Sequence, residues 1–252
     1  AYEPGAHAFG EAELAGLDER FRKRALAGLR RLRSKLVDAV PRRQRERNLL
    51  VATWALNRFG QRPVLPESLY YLAQVISAFD VVALQEITLD HAGDLVARLE
   101  KTTGMFTVDG TIFSRGVGRY GNVLLSRYGI REQILHDLSY PGCEPRGVID
   151  TVLVIDGRPL RVLATHLGLT TPERSDQLRR LADLLFDDLH PTVILGDFNV
   201  WLTRRPFMEL RNLGFIYTDI RTFPTWLFPM LPLDRIFVRA PAVIKSCSRH
   251  DS

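Results

Sequence analysis

The chain has 252 residues, 46% of them hydrophobic, which is enough to bury one substantial core without a disulfide staple, so one domain with an appendage is the default. Only two cysteines, Cys143 and Cys247, are present and they lie far apart in sequence; this argues against a cysteine-based metal site or disulfide framework and reads as a thiol pair in a reducing compartment. A formal charge of +5 favours polyanionic partners mildly, and no apolar run long enough for a transmembrane span or a signal peptide appears, so a cytoplasmic location is expected.

Residues 1–47 form the first unit of the expected organisation and residues 48–252 the second. Within the first, Leu14, Leu17, Phe21, Ala25, Leu29, Leu32 and Leu36 recur at helical spacing, with arginines around the rest of the surface and Pro41 as a stop. Such a basic amphipathic helix suits docking on the domain or a partner, contact with an anionic membrane surface, or contact with nucleic acid. From Leu49 the pattern changes to short apolar strands and helices. LLVATW (49–54) and VVALQEI (81–87) read as strands, PESLYYLAQVISAF (66–79) as a helix between them, and a further helix is expected from about His91 to Glu100. GNVLLS (121–126) and GVIDTVLVI (147–155) are strand-like. Asp156-Gly157 predicts a hairpin into RPLRVLATHL (158–167), so the sheet cannot be purely parallel. Thr170 or Thr171, followed by Pro172, starts a helix carrying Leu178, Leu181 and Leu185. TVIL (192–195) and LDRIFV (233–238) complete the strands.

Polar residues gather where these strands end. Glu86 closes VVALQE, His166 closes RVLATH, Asp197 and Asn199 follow VILG, Asn122 opens NVLLS and Asp234 interrupts PLDRIF. Taken singly, each could cap a turn, sit satisfied in a core or pair with an arginine. Ligand sites of layered α/β proteins, however, collect at strand ends. Metal-assisted hydrolysis of a phosphate ester could use all of them. A carboxylate such as Glu86 suits a hard cation, Asn and His can hold phosphoryl oxygens, and Asp197 can orient or deprotonate water.

In order along the chain, VATW, LQEI, RYGNVLLSRYGI, ATHLG, ILGDFN, TFPT and LDRIFV resemble the motifs of the endonuclease/exonuclease/phosphatase superfamily. That group includes pancreatic-type DNases, apurinic endonucleases, inositol-polyphosphate phosphatases and neutral sphingomyelinases, and the chain is also similar to bacterial members of undetermined substrate. The resemblance covers roughly Asn48 to the C-terminus. It implies an α/β fold: a two-layer mixed β-sandwich flanked by helices, the DNase-like four-layer arrangement, with Mg²⁺, or Mn²⁺ in its place, as cofactor. It assigns Glu86 and Asp197 to the metal, Asp197 also to water activation, and Asn199 and His166 to the phosphate. Tyr120 and Asn122 fall in the segment lining the phosphate pocket, and Asp234 matches the aspartate that orients a second histidine.

Two departures stand out. The family has an asparagine after Thr-Trp, where this chain has Ala55; Asn57 follows two residues later, about 6.6 Å along an extended strand. The family's terminal Ser-Asp-His is also absent. His250 and Asp251 come in reversed order and read as loop residues, so the domain is expected to lack its C-terminal core strand. Two functions follow as expectations. One is a Mg²⁺-dependent phosphoesterase or nuclease acting on a phosphodiester. The other is a catalytically impaired phosphate- or nucleic-acid-binding protein that keeps the fold.

Overall fold

A computed structural model describes residues 48–59, 66–90, 95–115, 118–188, 190–201, 205–222 and 231–248. The expected N-terminal helix, His250 and Asp251 lie outside the described residues, and of Asn57 only the backbone is described. In chain order the elements are β1 (Val51–Phe59), α1 (Pro66–Ile76), β2 (Val81–Asp90), α2 (Leu95–Thr103), β3 (Phe106–Arg115), β4 (Gly118–Ser126), β5 (Ile130–Asp137), β6 (Gly147–Ile155) and β7 (Arg158–His166). Then come α3 (Thr171–Asp183), β8 (Thr192–Asp197), a 3₁₀ turn (Arg205–Phe207), α4 (Met208–Asn212), β9 (Phe215–Tyr217) and β10 (Asp234–Arg239).

The strands form two sheets. Sheet A has the order β1-β2-β4-β3 and sheet B the order β5-β6-β7-β8-β10-β9. The pairs β1/β2 and β7/β8 are parallel and the rest antiparallel, so both sheets are mixed. Three apolar layers explain the stacking. Leu69, Leu72 and Ile76 of α1 and Leu95 and Leu99 of α2 pack on Val82, Leu84 and Ile87 of sheet A. Leu178, Leu181 and Leu185 of α3 and the segment after it cover Leu163, Ile194 and Phe237 of sheet B. Val81, Ala83, Leu124, Ile149, Val162, Ala164, Val193 and Leu195 fill the space between the sheets. Because side chains alternate along a strand, each sheet feeds one set of apolar residues inward and the other outward to its helices. The result is the helix–sheet–sheet–helix sandwich.

Local chemistry sets several of these elements. Asp156 and Gly157 both have positive φ, the conformation of a tight hairpin turn between β6 and β7. At the start of α3 the Thr170 hydroxyl accepts a hydrogen bond from Glu173 N, while the Glu173 carboxylate accepts one from Thr170 N. This reciprocal cap satisfies two helix-end donors. The expected strands recur with shifted ends: β1 runs to Phe59 instead of Trp54, β2 to Asp90, and β4 begins at Gly118. Cys143 and Cys247 are free thiols.

Candidate active site

Strand alternation carries the site. In β8 the inward residues are Val193 and Leu195, and the next in that series is Asp197. In β7, Val162 and Ala164 lead to His166. In β10, Val238 and Ile236 lead back to Asp234. The registers place these polar termini side by side, with His166 opposite Asp197 across β7/β8 and Asp197 opposite Asp234 across β8/β10. One row of inward positions on three neighbouring strands thus turns from apolar to ionisable at one end of the sandwich. Gly196 permits this closeness: a Cβ there would stand 1.9 Å from the Thr165 carbonyl oxygen.

Sheet A reaches the same end by a different route. Leu84 and Ile87 both face outward, yet two residues separate them where regular alternation would leave one. Gln85 and Glu86 together oppose Asn122 of β4, with Leu84 paired to Val123 and Ile87 to Gly121. This is a β-bulge, and Glu86 takes φ 60°, a left-handed conformation unusual for a residue with a side chain. The bulge puts both Gln85 and Glu86 on the inner side. On β1 the register jumps from Ala55 opposite Gln85 to Phe59 opposite Ile87, so residues 56–58 stand against the single residue Glu86. Thr53 Oγ1 donates to Gln85 Oε1 at 3.0 Å. Tyr120 and Asn122, both buried, extend the inward series of Leu124 on β4.

The electrostatics show which of these groups lie close enough to act on one another. Burial raises the Asp197 carboxyl to about 7, with the Asp234 and Glu86 carboxylates pushing in the same direction; the Asn199 N–H, 2.9 Å from Oδ1, and the Arg146 charge oppose the shift. Burial also raises Asp234, whose Oδ1 is buried with no hydrogen-bond partner among the described residues. His166 is lowered to about 3 by burial and by the charge of Arg146, and is therefore neutral over the ordinary range. Its Nε2 lies 3.9 Å from Asp197 Oδ2. Asn199, at φ 50°, donates from Nδ2 to the Leu167 carbonyl at 2.8 Å, tying the loop after β8 to the loop after β7.

The structure thus places Glu86, His166, Asp197, Asn199 and Asp234 at one end of the sandwich, with Tyr120 and Asn122 on the sheet A side of it. Ala55 keeps an inward position level with Gln85 and brings no polar group there.

Two arginines escape a reading of the sequence. Arg146, only 6% exposed, influences both His166 and Asp197 while its Nε is buried without a hydrogen-bond partner among the described residues. It precedes β6 in a Pro-Arg-Gly run that looks like any turn. Arg235 is likewise buried, donating to the Val200 carbonyl at 3.1 Å and lying over the Phe207 ring at 4.7 Å. It fixes the loop after Asp197 rather than pairing mainly with its neighbour Asp234.

Among the described residues no group of three or more His, Cys, Asp or Glu side chains is arranged to hold a metal ion. The carboxylates of Glu86 and Asp197 are nevertheless a donor set that fits Mg²⁺, which is commonly held by one or two carboxylates and keeps several waters. A carboxyl raised to about 7 by burial and by the neighbouring Asp234 and Glu86 carboxylates is also one that a cation would help to ionise.

A layered sandwich of two mixed sheets flanked by helices, with acids, amide and imidazole at one set of strand ends, is the DNase-like arrangement. The profile of the Endonuclease/Exonuclease/phosphatase family matches residues 39–252, and the chain belongs to that family. It is 34% identical to the Escherichia coli (strain K12) protein described as Uncharacterized protein YbhP, over 72% of this chain and 79% of that one. Among solved structures it is similar to an endonuclease/exonuclease/phosphatase from Beutenbergia cavernae, with TM-score 0.61 and 21% identity, over 76% of this chain and 64% of that one. The chain therefore spans less than two thirds of that relative's length. It is also similar to a Bacteroides thetaiotaomicron mannosyl-6-phosphatase, with TM-score 0.59 and 17% identity, over 77% and 86% of the two chains. At these identities the two structures show the shared fold.

Proposed function

We propose that the chain hydrolyses phosphate esters, in particular phosphodiesters, with Mg²⁺ or Mn²⁺ as cofactor. The observation that carries this reading is the Asp197 carboxylate, flanked in register by His166 and Asp234 and facing Glu86 from the opposing sheet. Asp197 orients an attacking water and takes its proton as the water oxygen bonds to phosphorus and the ester P–O bond breaks. Neutral His166 and the second N–H of the Asn199 amide donate to phosphoryl oxygens as charge builds, with Arg146 adding positive potential behind them. Asn199 is pre-aimed because its first N–H is already held by Leu167. Tyr120 and Asn122 close the pocket on the sheet A side. Glu86 and Asp197 would hold the cation, which when bound neutralises phosphoryl charge and acidifies a coordinated water.

Ala55 favours a second reading, phosphate binding without turnover, because it removes one polar group beside Glu86. Hydrolysis of bis(p-nitrophenyl) phosphate, followed by a panel of nucleic acids, phospholipids and sugar phosphates, separates the two. Mg²⁺-dependent turnover that falls about a thousandfold in Asp197→Ala supports the enzyme. Saturable phosphate-ester binding with no turnover on any class, in the presence of Mg²⁺ or Mn²⁺, establishes the binder.

A further inference from the structure

The outer face of sheet B is only partly roofed. α3 covers the β6–β7 side near Val148 and Leu163, but beyond its C-terminal end the outward residues of β5 and β6 border an open groove of about 480 Å³. Glu132, Ile134, Val152, Asp183, Leu184 and Asp187 line it. Ile134 is 56% exposed, and Phe186, which lies in sequence between the lining residues Leu184 and Asp187, is 73% exposed, so apolar residues and carboxylates are interleaved. Beneath them Arg161 is already committed. It holds Asp150 by two hydrogen bonds, at 2.9 and 2.6 Å, and also holds Asp188. The nearest internal cation is therefore spent on buried Asp150 and half-buried Asp188; on the rim, Glu132 pairs with Arg131 at 2.9 Å and Asp183 with Arg179 at 3.2 Å through exposed side chains that a denser run of arginines can displace, and Asp187 is exposed.

The chain's positive charge is distributed to match. Of 34 Lys and Arg and 29 Asp and Glu, twelve and seven precede Asn48, which leaves twenty-two of each in the rest. The net +5 thus belongs to residues 1–47. Between Arg20 and Lys35 stand eight basic residues and no acid, interleaved with the leucine stripe.

The start of the domain lies at the end of the sandwich where the groove is. Val51 pairs with Val81 at the beginning of β2, opposite the end that carries Glu86, and the groove stands level with Arg161 and Thr192, at the end of sheet B away from Asp197. Arg239 donates to the carbonyls of Leu185 and His190 beside the groove, and Lys245 donates to Asn48 Oδ1 at 2.7 Å. The chain between Arg239 and Lys245 can span at most about 20 Å, and that from Leu36 to Asn48 about 40 Å when extended. The basic stretch is within reach.

We infer that residues 20–36 of the same chain dock in this groove, leucines on Ile134 and Leu184 and arginines against Glu132, Asp183 and Asp187. Hydrogen exchange on the full chain tests it. Peptides covering 20–36 and β5 are expected to be protected together. Glu132→Lys combined with Asp187→Lys lowers protection of 20–36 about tenfold, the joint effect of several exposed ion pairs. Arg24, Arg30 and Arg31 changed to Glu give the same loss. Combining the two sets restores protection, and unchanged exchange of β8 verifies the fold in each case. Equal exchange in parent and reversed chains overturns the inference. So does protection that grows with protein concentration, the mark of a second copy, or protection that appears only with phosphatidylserine vesicles or a DNA duplex.

Discussion

Sheet B delivers its site residues through an unbroken ladder, whereas sheet A delivers Glu86 through a break in one. In sheet B, His166, Asp197 and Asp234 occupy positions fixed by register alone, and the local backbone need only tolerate the contact at Gly196. In sheet A the acid arrives because an extra residue is inserted between Leu84 and Ile87 and held at positive φ. A ladder positions side chains with no local distortion; a bulge re-aims one side chain at the cost of strain. The two halves of the site should therefore respond differently to substitution.

The largest expected effect is on turnover and is shared by both sheets. Asp197→Asn and Glu86→Gln should each lower Mg²⁺-dependent kcat/KM by two to three orders of magnitude, about what a general base or a charge-neutralising group supplies. The double variant should lose far less than the product of the two, because the groups serve one transition state. Multiplicative losses in steady-state kinetics would show that the sheets do not meet in one site.

Next come the pH slopes of stability in metal-free buffer. Asp197 is raised from 3.8 to about 7, so between those values the folded chain binds more protons than the unfolded one. Stability falls as pH rises through that window, by up to about 4 kcal/mol. His166 is lowered from 6.5 to about 3, so the folded chain binds fewer protons there and stability rises with pH, by up to about 5 kcal/mol. The two slopes oppose each other between about pH 4 and 6.5. Denaturant melts should show Asp197→Asn leaving a rising profile and His166→Gln a falling one, with the parent flatter than either. Parallel profiles in all three would refute the assignment of these shifts.

Smaller effects separate ladder from bulge. Gly196→Ala sets a methyl group against the Thr165 carbonyl and should cost about 3 kcal/mol, read as a lowered denaturation midpoint. Glu86→Gly, by contrast, relieves a left-handed residue and should stabilise the fold by about 1 kcal/mol while abolishing turnover. A destabilised Glu86→Gly would mean that the bulge is held by the side chain and not in spite of it.

The same difference explains what the sequence revealed. β6, its Asp156-Gly157 turn and β7 are legible because β-branched runs flank a dipeptide that demands positive φ, and α3 is announced by Thr170 and Glu173. β8 is legible as a short buried run. β5, IREQILHD, gives no such signal: it is an edge strand exposed along most of both faces, so its residues carry no alternation. β3 is similarly obscured by Asp109, Gly110 and Ser114 within its span, and β9 is only Phe215–Tyr217. Asp197 and His166 could be read as strand ends, but their adjacency depends on a register between strands distant in sequence. The side that Glu86 faces could not be read at all, since simple alternation sends it outward. Arg146 and Arg235 are charged residues whose burial is decided entirely by what folds around them.

The doubled irregularity at Glu86 bears on how this chain tolerates changes of length. Two added residues in β1 are absorbed where residues 56–58 stand against one residue of β2, and the pairing resumes at Phe59. Sheet A can take an insertion there and pass the offset to the bulge, leaving both flanking registers intact. Sheet B has no such slack beside its acids: one residue gained or lost between Val193 and Asp197 would turn the carboxylate from the inter-sheet space to the helix side. Across descendants of this chain, length variation near the site should accumulate in the β1–β2 region, while the span from Thr192 to Asn199 keeps a constant count.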